Sequence, residues 1–271
     1  MPFATLQDTV IIVLWEVLHW TRIPRLLILS KHRKRIPIPL STAELTSEEL
    51  LRIYATTSRI DDDSSRGLTT RPIKLVAPDA IMKVGNELEM INTQFILSKT
   101  TIPVPICDRV VHCGRSDYLV LEYIPGRTLY SCWSELGWWT RLRVFITLRE
   151  YVRQLRFLTH SRPGPIGPDN RPQICIGPLF GEKAGSFEDK TTFAAFFNRK
   201  YDVTKRYRPR YVANVEKPFD DSGPLVYTHL DLNMQNIILG DDGQLWLIDW
   251  DFAGYYPIWF ENAGMQVFSD D

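Results

Sequence analysis

Three features of the sequence predict an α+β fold, a small antiparallel sheet followed by a mainly helical half. Short apolar runs, Pro72 to Val76 and Ala80 to Val84, are separated by Ala77-Pro78-Asp79 and read as a hairpin. Trp138 to His160 is a long amphipathic stretch with Val144, Leu148, Tyr151, Val152, Leu155 and Leu158 at three- and four-residue spacings. Near the end of the sequence, Ile237-Ile238-Leu239 and Leu245-Trp246-Leu247-Ile248 flank the turn Gly240-Asp241-Asp242-Gly243.

Composition bounds the function. Of 271 residues, 44% are hydrophobic and 24% charged, which excludes a disordered chain and supplies one large core or two smaller ones. Thirty-two basic and 32 acidic side chains cancel, so no excess of Lys and Arg favours nucleic acid, and none is expected as a partner. Cys107, Cys113, Cys132 and Cys175 form no CxxC pair, so buried thiols in a reduced, cytoplasmic protein are the simplest reading.

Residues 1–45 are read as an N-terminal helical extension. Its apolar stretch opens at Val10 and predicts a core-packing helix from about Thr9 to Thr21, ended near Pro24. Glu16, Arg22, Arg25 and Pro24 exclude a membrane-spanning helix, and no secretory signal pattern is present. An interfacial helix followed by Lys31-His32-Arg33-Lys34-Arg35 is the sharper reading, making residues 1–35 a candidate peripheral membrane contact. Ile36-Pro37-Ile38-Pro39 is an extended connector.

Thr46-Ser47-Glu48-Glu49 has the form of a capping box and predicts a helix through Leu50, Leu51, Ile53 and Tyr54. After the hairpin, a helix is expected from Glu87 to about Lys99 with Ile91, Phe95 and Ile96 on a shared face. Strands follow at Ile106 to Cys113 and Asp117 to Tyr123. Beyond the long helix, Pro163 to Pro178 reads as a loop and Phe187 to Tyr201 as a helix.

The chemistry concentrates in Thr228-His229-Leu230-Asp231-Leu232-Asn233-Met234-Gln235-Asn236 and in Asp249 after the second strand. A loop, a strand, a tight turn and a strand bring Asp231, Asn236 and Asp249 to one end of a hairpin. Asn236 and Asp249 supply hard oxygens of the kind magnesium takes beside phosphate and water. Asp231 is then placed to accept a proton from an attacking hydroxyl. Protein kinases share this spacing, H-R-D followed by N and then D-F-G.

The segment His229 to Glu261, with Ile248-Asp249-Trp250-Asp251-Phe252-Ala253-Gly254-Tyr255-Tyr256-Pro257, resembles the aminoglycoside phosphotransferase/choline kinase family, and in particular a fungal subgroup of it. Ile102-Pro103-Val104-Pro105 and Leu119 to Leu129 extend the likeness upstream, over about residues 46 to 265. The resemblance implies a bilobal, protein-kinase-like fold, with a small antiparallel-sheet N-lobe at 46–121, a hinge at 122–127 and a mainly helical C-lobe at 128–271. It implies a magnesium-dependent phosphotransferase that moves the γ-phosphate of ATP or GTP to a hydroxyl of a small molecule. Asp231 matches the catalytic base, His229 the histidine bracing its loop, and Asn236 and Asp249 the Mg2+ ligands. Lys83 matches the phosphate-binding lysine and Glu89 its helix partner, with Glu87 a competitor. Glu122, Tyr123 and Ile124 are expected to offer backbone groups to the base. Arg127 is a candidate for either a phosphate contact or the rim, and Asp251 for a support of the Asp249 loop.

Three departures from the family pattern stand out. No glycine-rich loop is present, so Ser64-Ser65-Arg66-Gly67 or the Ala77-Pro78-Asp79 turn is expected to cover the phosphates. Six positions separate Lys83 from Glu89, a connection short enough to strain or shift their ion pair. The sequence also stops at Asp271, before helices that in relatives help form the acceptor pocket. The competing reading is a catalytically silent, kinase-like binding or scaffold protein.

Overall fold

The computed structural model describes residues 28–29, 35–60, 72–168, 171–212, 219 and 222–267. The expected helix from Thr9 to Thr21, the basic residues Lys31 to Lys34 and the Ser64 to Gly67 stretch lie outside the described residues. Helix α1, Ser47–Thr56, starts as its sequence dictates. The Thr46 hydroxyl accepts from the Glu49 amide, and the Glu49 carboxylate accepts from the Thr46 amide at 2.8 Å. Leu50 and Tyr54 on its inner face pack with Leu40, Val76, Met82, Val111 and Val120.

Strands β1 (Lys74–Ala77), β2 (Ala80–Val84), β3 (Cys107–Cys113) and β4 (Ser116–Glu122) form an antiparallel sheet in the order β1-β2-β4-β3. Helix α2, Glu87–Lys99, is inserted between β2 and β3, with Asn86 as its N-cap. Its buried face differs from expectation. Glu89, Asn92, Thr93 and Ile96 are buried, whereas Ile91 and Phe95 are only half-buried. Ile96 and Phe95 do pack on the main core, and the stripe is widened by polar groups that meet polar partners.

β5 (Gly126–Thr128) leaves the small sheet and pairs with β10 (Ile237–Gly240), which pairs in turn with β11 (Leu245–Leu247). Gly126 has φ of 153°, and a Cβ there would lie 2.5 Å from the Leu239 carbonyl oxygen, so only glycine permits this approach. Helix α3 (Leu129–Cys132) precedes the long α4 (Trp138–Arg156). α4 ends short of the expected His160. The Phe157 and Leu158 amides fold back onto the Gln154 and Leu155 carbonyls, and Thr159–His160 becomes β6. β6 pairs with β9 (Leu225–Thr228), whose other edge carries β12 (Gly254–Pro257).

Two further expectations shift. The proline-rich stretch read as a loop runs into a hairpin of β7 (Cys175–Gly177) and β8 (Gly181–Ala184). Helix α5 spans Lys190–Tyr207, because a second capping box, Asp189 with Thr192, sets its start after Phe187. The chain closes with α6, Phe260–Val267. The main core gathers α4, β9, β10, β11 and the fully buried Trp250.

A segment ahead of α1 runs along both parts of the molecule. The Leu29 amide donates to the Thr147 hydroxyl of α4 at 2.7 Å, and its carbonyl accepts from the Leu245 amide of β11 at 3.0 Å. Arg35 makes a two-pronged bond to Glu122 (2.8 and 2.7 Å), donates to the Val104 carbonyl and lies over the Trp246 ring. Ser41 donates to Asp79 in the β1–β2 turn. Among the described residues no helix is long and apolar enough to cross a membrane.

Candidate active site

Lys83 lies on β2 opposite Leu119 of β4 and projects towards α2. Its ammonium sits 2.7 Å from Glu89 and 2.9 Å from Asp249, tying the small sheet to the segment after β11. The short link from Lys83 to Glu89 does not strain or shift the pair. Gly85 leaves the room, since a Cβ there would press on Leu119 at 2.5 Å and on the Glu89 carboxylate at 3.0 Å. Glu89 rather than Glu87 meets the lysine; Glu87 is exposed in the first turn. Burial disfavours the Lys83 charge, but the Glu89 and Asp249 carboxylates outweigh it and raise its pKa. Burial pushes the Glu89 carboxyl up, with Lys83 pulling the other way.

β9 delivers the loop at its end. The His229 and Leu230 amides both donate to the buried Glu261 carboxylate, at 2.8 and 3.0 Å. The His229 Nδ1 accepts from the Asp231 amide, so its Nε2 carries the proton and donates to the Ile248 carbonyl at 3.0 Å. Burial lowers the His229 pKa to about 4, which keeps the ring neutral. Asp231 is gripped on both oxygens, by Asn233 Nδ2 and Asn236 Nδ2, each at 2.8 Å. Burial first, and then the Asp249 charge, push its pKa up to about 7 against those hydrogen bonds.

The β10–β11 ladder sets the remaining pair. The Ile248 amide donates to the Asn236 carbonyl, which puts Asn236 beside the residue preceding Asp249. Asn236 spends its Nδ2 on Asp231, so its amide oxygen is the end with coordinating capacity. The Asp249 side chain is 33% exposed, against 4% for Glu89, and is the open member of the lysine's two partners. Among the described residues no cluster of three His, Cys, Asp or Glu forms a cage of its own. One amide oxygen and one carboxylate, beside a second acid that would otherwise repel it, suit Mg2+, which takes few protein ligands and completes its shell with phosphate and water.

Residues 59–271 match the family described as the phosphotransferase enzyme family. The chain belongs to it. Among solved structures, the chain is similar to a thermostable mutant of aminoglycoside phosphotransferase APH(4)-Ia in ternary complex with ADP and hygromycin B. Identity is 14%, coverage is 81% of this chain and 76% of that one, and the TM-score is 0.50. That likeness shows the bilobal, protein-kinase-like fold. A putative fructosamine-3-kinase from Haemophilus somnus is 12% identical over 78% of this chain and 72% of its own, with a TM-score of 0.43. APH(3'')-Id from Streptomyces rimosus is 15% identical over 80% and 79%, with a TM-score of 0.44. No curated protein sequence matches significantly.

Other expected site residues of the phosphotransferase fall elsewhere. The Glu122 and Tyr123 amides are already committed, donating to the Ile106 and Asp79 carbonyls at 2.8 and 2.9 Å. Backbone contacts to a base therefore come down to their carbonyls and to Ile124. Arg127 is bound to Glu135 and to the Ser131 carbonyl, so it braces the β5–α3 turn rather than a phosphate. The Ala77-Pro78-Asp79 turn lies away from the lysine expected to grip the phosphates. Its Asp79 carbonyl meets Tyr123 at the far end of β2 from Lys83, and its carboxylate is held by Ser41. Asp251 accepts from Asn86 Nδ2 and ties the Asp249 loop to the start of α2. Glu261, Asn86, Asn92 and Asn233 escaped the sequence reading; only Asn233, inside the motif, had a local signal.

Proposed function

We propose that this chain transfers the γ-phosphate of ATP to a hydroxyl group of a small-molecule acceptor, in a magnesium-dependent reaction. The observation that carries the reading is the Lys83 ammonium clasped between Glu89 and Asp249, with Asp231 held close enough to feel the Asp249 charge. ADP and hygromycin B in the ternary complex of aminoglycoside phosphotransferase APH(4)-Ia support an adenine nucleotide and a small-molecule acceptor.

Asn236 and Asp249 would hold Mg2+, which when bound neutralises phosphate charge. Lys83, its rotamer set by Glu89, grips the nucleotide phosphates as a point charge. Asp231 orients the acceptor hydroxyl and takes its proton as the new oxygen–phosphorus bond forms and the bond to the departing ADP breaks. Asn233 and Asn236 fix the carboxylate in that pose, and His229 and Glu261 fix the backbone beneath it.

The deciding measurement is calorimetric binding of nucleotide, with and without magnesium, to wild type and Asp249→Ala. Magnesium-enhanced binding by wild type alone is expected, and a wild type that binds no nucleotide overturns the proposal. Asp231→Asn should then keep nucleotide affinity while losing about 10²–10⁴-fold in transfer to any hydroxylated acceptor found by screening. Nucleotide binding with no transfer to any acceptor in wild type would instead favour a silent binding protein.

A further inference from the structure

We propose that Asn92 is the positioning residue for Asp249, holding the metal-ligand loop in register with the helix that carries Glu89. The inference deepens the phosphotransferase reading and rests on it. Asn92 lies on the inner face of α2 and is 2% exposed. Its Nδ2 donates to the Trp250 carbonyl at 2.8 Å and to the Ala253 carbonyl at 3.3 Å, 158 and 161 residues away in sequence. Its Oδ1 accepts from the buried Tyr227 hydroxyl at 3.0 Å. Carbonyl oxygens only accept, so these contacts define which end of the amide is which.

The place these bonds reach is the informative part. Asp249 has φ of 66°, a left-handed conformation uncommon for a residue with a side chain. Such a backbone persists where its surroundings over-determine it. The Trp250 carbonyl is one peptide beyond Asp249, and the Ala253 amide also turns back onto it at 3.3 Å. Asn92 therefore clamps both ends of the Trp250–Ala253 turn that directly follows Asp249. The same helix holds Asp251 through Asn86 and Lys83 through Glu89. Lysine, glutamate and metal-binding aspartate are thus three points on one assembly, and Asn92 is the bond to its main chain.

Exchange of a buried amide for the isosteric carboxylate would replace the Nδ2 donor with an oxygen set against two carbonyls. Asn92→Asp should release the loop without changing side-chain volume, and Asn92→Ala removes the donors without adding charge. Tyr227→Phe is the control, since it leaves both carbonyl bonds in place. The test is calorimetric titration with ADP, in magnesium and in EDTA, on all four proteins. Wild type should bind more tightly in magnesium. The two Asn92 variants should lose about tenfold or more of that enhancement, with EDTA affinities within about twofold of wild type, and Tyr227→Phe should keep it. Hydrogen exchange gives a second, metal-free reading: the Trp250 to Ala253 amides should exchange faster in Asn92→Ala while those of β9 and β12 do not. If Asn92→Asp fails to fold, Asn92→Ala and the exchange data decide. A folded Asn92→Ala with its magnesium enhancement intact overturns the positioning role alone. A wild type with no magnesium enhancement overturns it together with the phosphotransferase reading.

Discussion

Of the two described residues other than glycine with positive φ, Leu230 precedes the proposed base and Asp249 is itself a proposed metal ligand. Each depends on a polar clamp reaching in from another element. For Leu230 the clamp is Glu261, and burial pushes the Glu261 carboxyl up to about 7 from 4.5. The folded protein therefore holds a proton that the unfolded chain releases, and stability from this group is full below about pH 4.5 and is lost as pH rises through 7. Glu261→Gln removes the effect. The stability advantage of wild type over the variant should shrink by roughly 3 kcal/mol between pH 4.5 and 7.5, read from chemical unfolding across that range. An advantage that grows with pH would refute the assignment. His229 works in the opposite sense: its pKa is lowered to about 4, so its contribution is present above 6.5 and is lost as pH falls through 4. Lys83→Met should prove harsher, leaving the Glu89 and Asp249 carboxylates near each other without the lysine between them. A loss of about 3–5 kcal/mol is expected for breaking a buried pair, measured by urea unfolding.

At the scale of elements, what could be read in advance was whatever is local. The capping box at Thr46, the hairpin over β1 and β2 and the α2 boundaries are written in consecutive residues, and the structure places them accordingly; the Asp231–Asn236 pair, five residues apart, is local in the same way. The Asn92, Glu261 and Arg35 contacts were not legible, because their partners arrive from 158, 32 and 87 residues away. The β7–β8 hairpin was hidden for another reason: proline and glycine dominate its surroundings and mask the short strands. That hairpin touches the site at Gly177, with φ of 130° and a missing Cβ that would lie 3.2 Å from Leu230 and 3.4 Å from Phe252. Gly177→Ala should cost about 1–3 kcal/mol through the strained backbone. It should also slow transfer more than it weakens nucleotide binding, which separate kcat and KM measurements would show. Thr46→Ala, far from the site, should cost only about 1 kcal/mol of stability and leave binding unchanged.

At the scale of the whole molecule, the described residues ahead of α1 act as a strap on both the small sheet and the C-terminal part. Arg35 fastens the Glu122 side chain, the Val104 carbonyl and the Trp246 ring, while Leu29 is anchored between α4 and β11. Arg35→Ala should destabilise the protein by about 1–2 kcal/mol, between the values for exposed and buried ion pairs, since both partners are partly open to solvent. Faster dissociation of bound nucleotide in a stopped-flow chase should accompany it. The strap also bears on where such a protein can be cut. A piece limited to the family-matching residues 59–271 keeps Lys83, Glu89, Asp231, Asn236 and Asp249, the whole proposed chemistry. It lacks Leu29, Arg35, Leu40 and α1, and so uncovers Val76, Met82, Val111, Val120 and the Trp246 face to water. Such a piece should aggregate on expression, because the residues that keep this phosphotransferase in solution lie ahead of those that define its family.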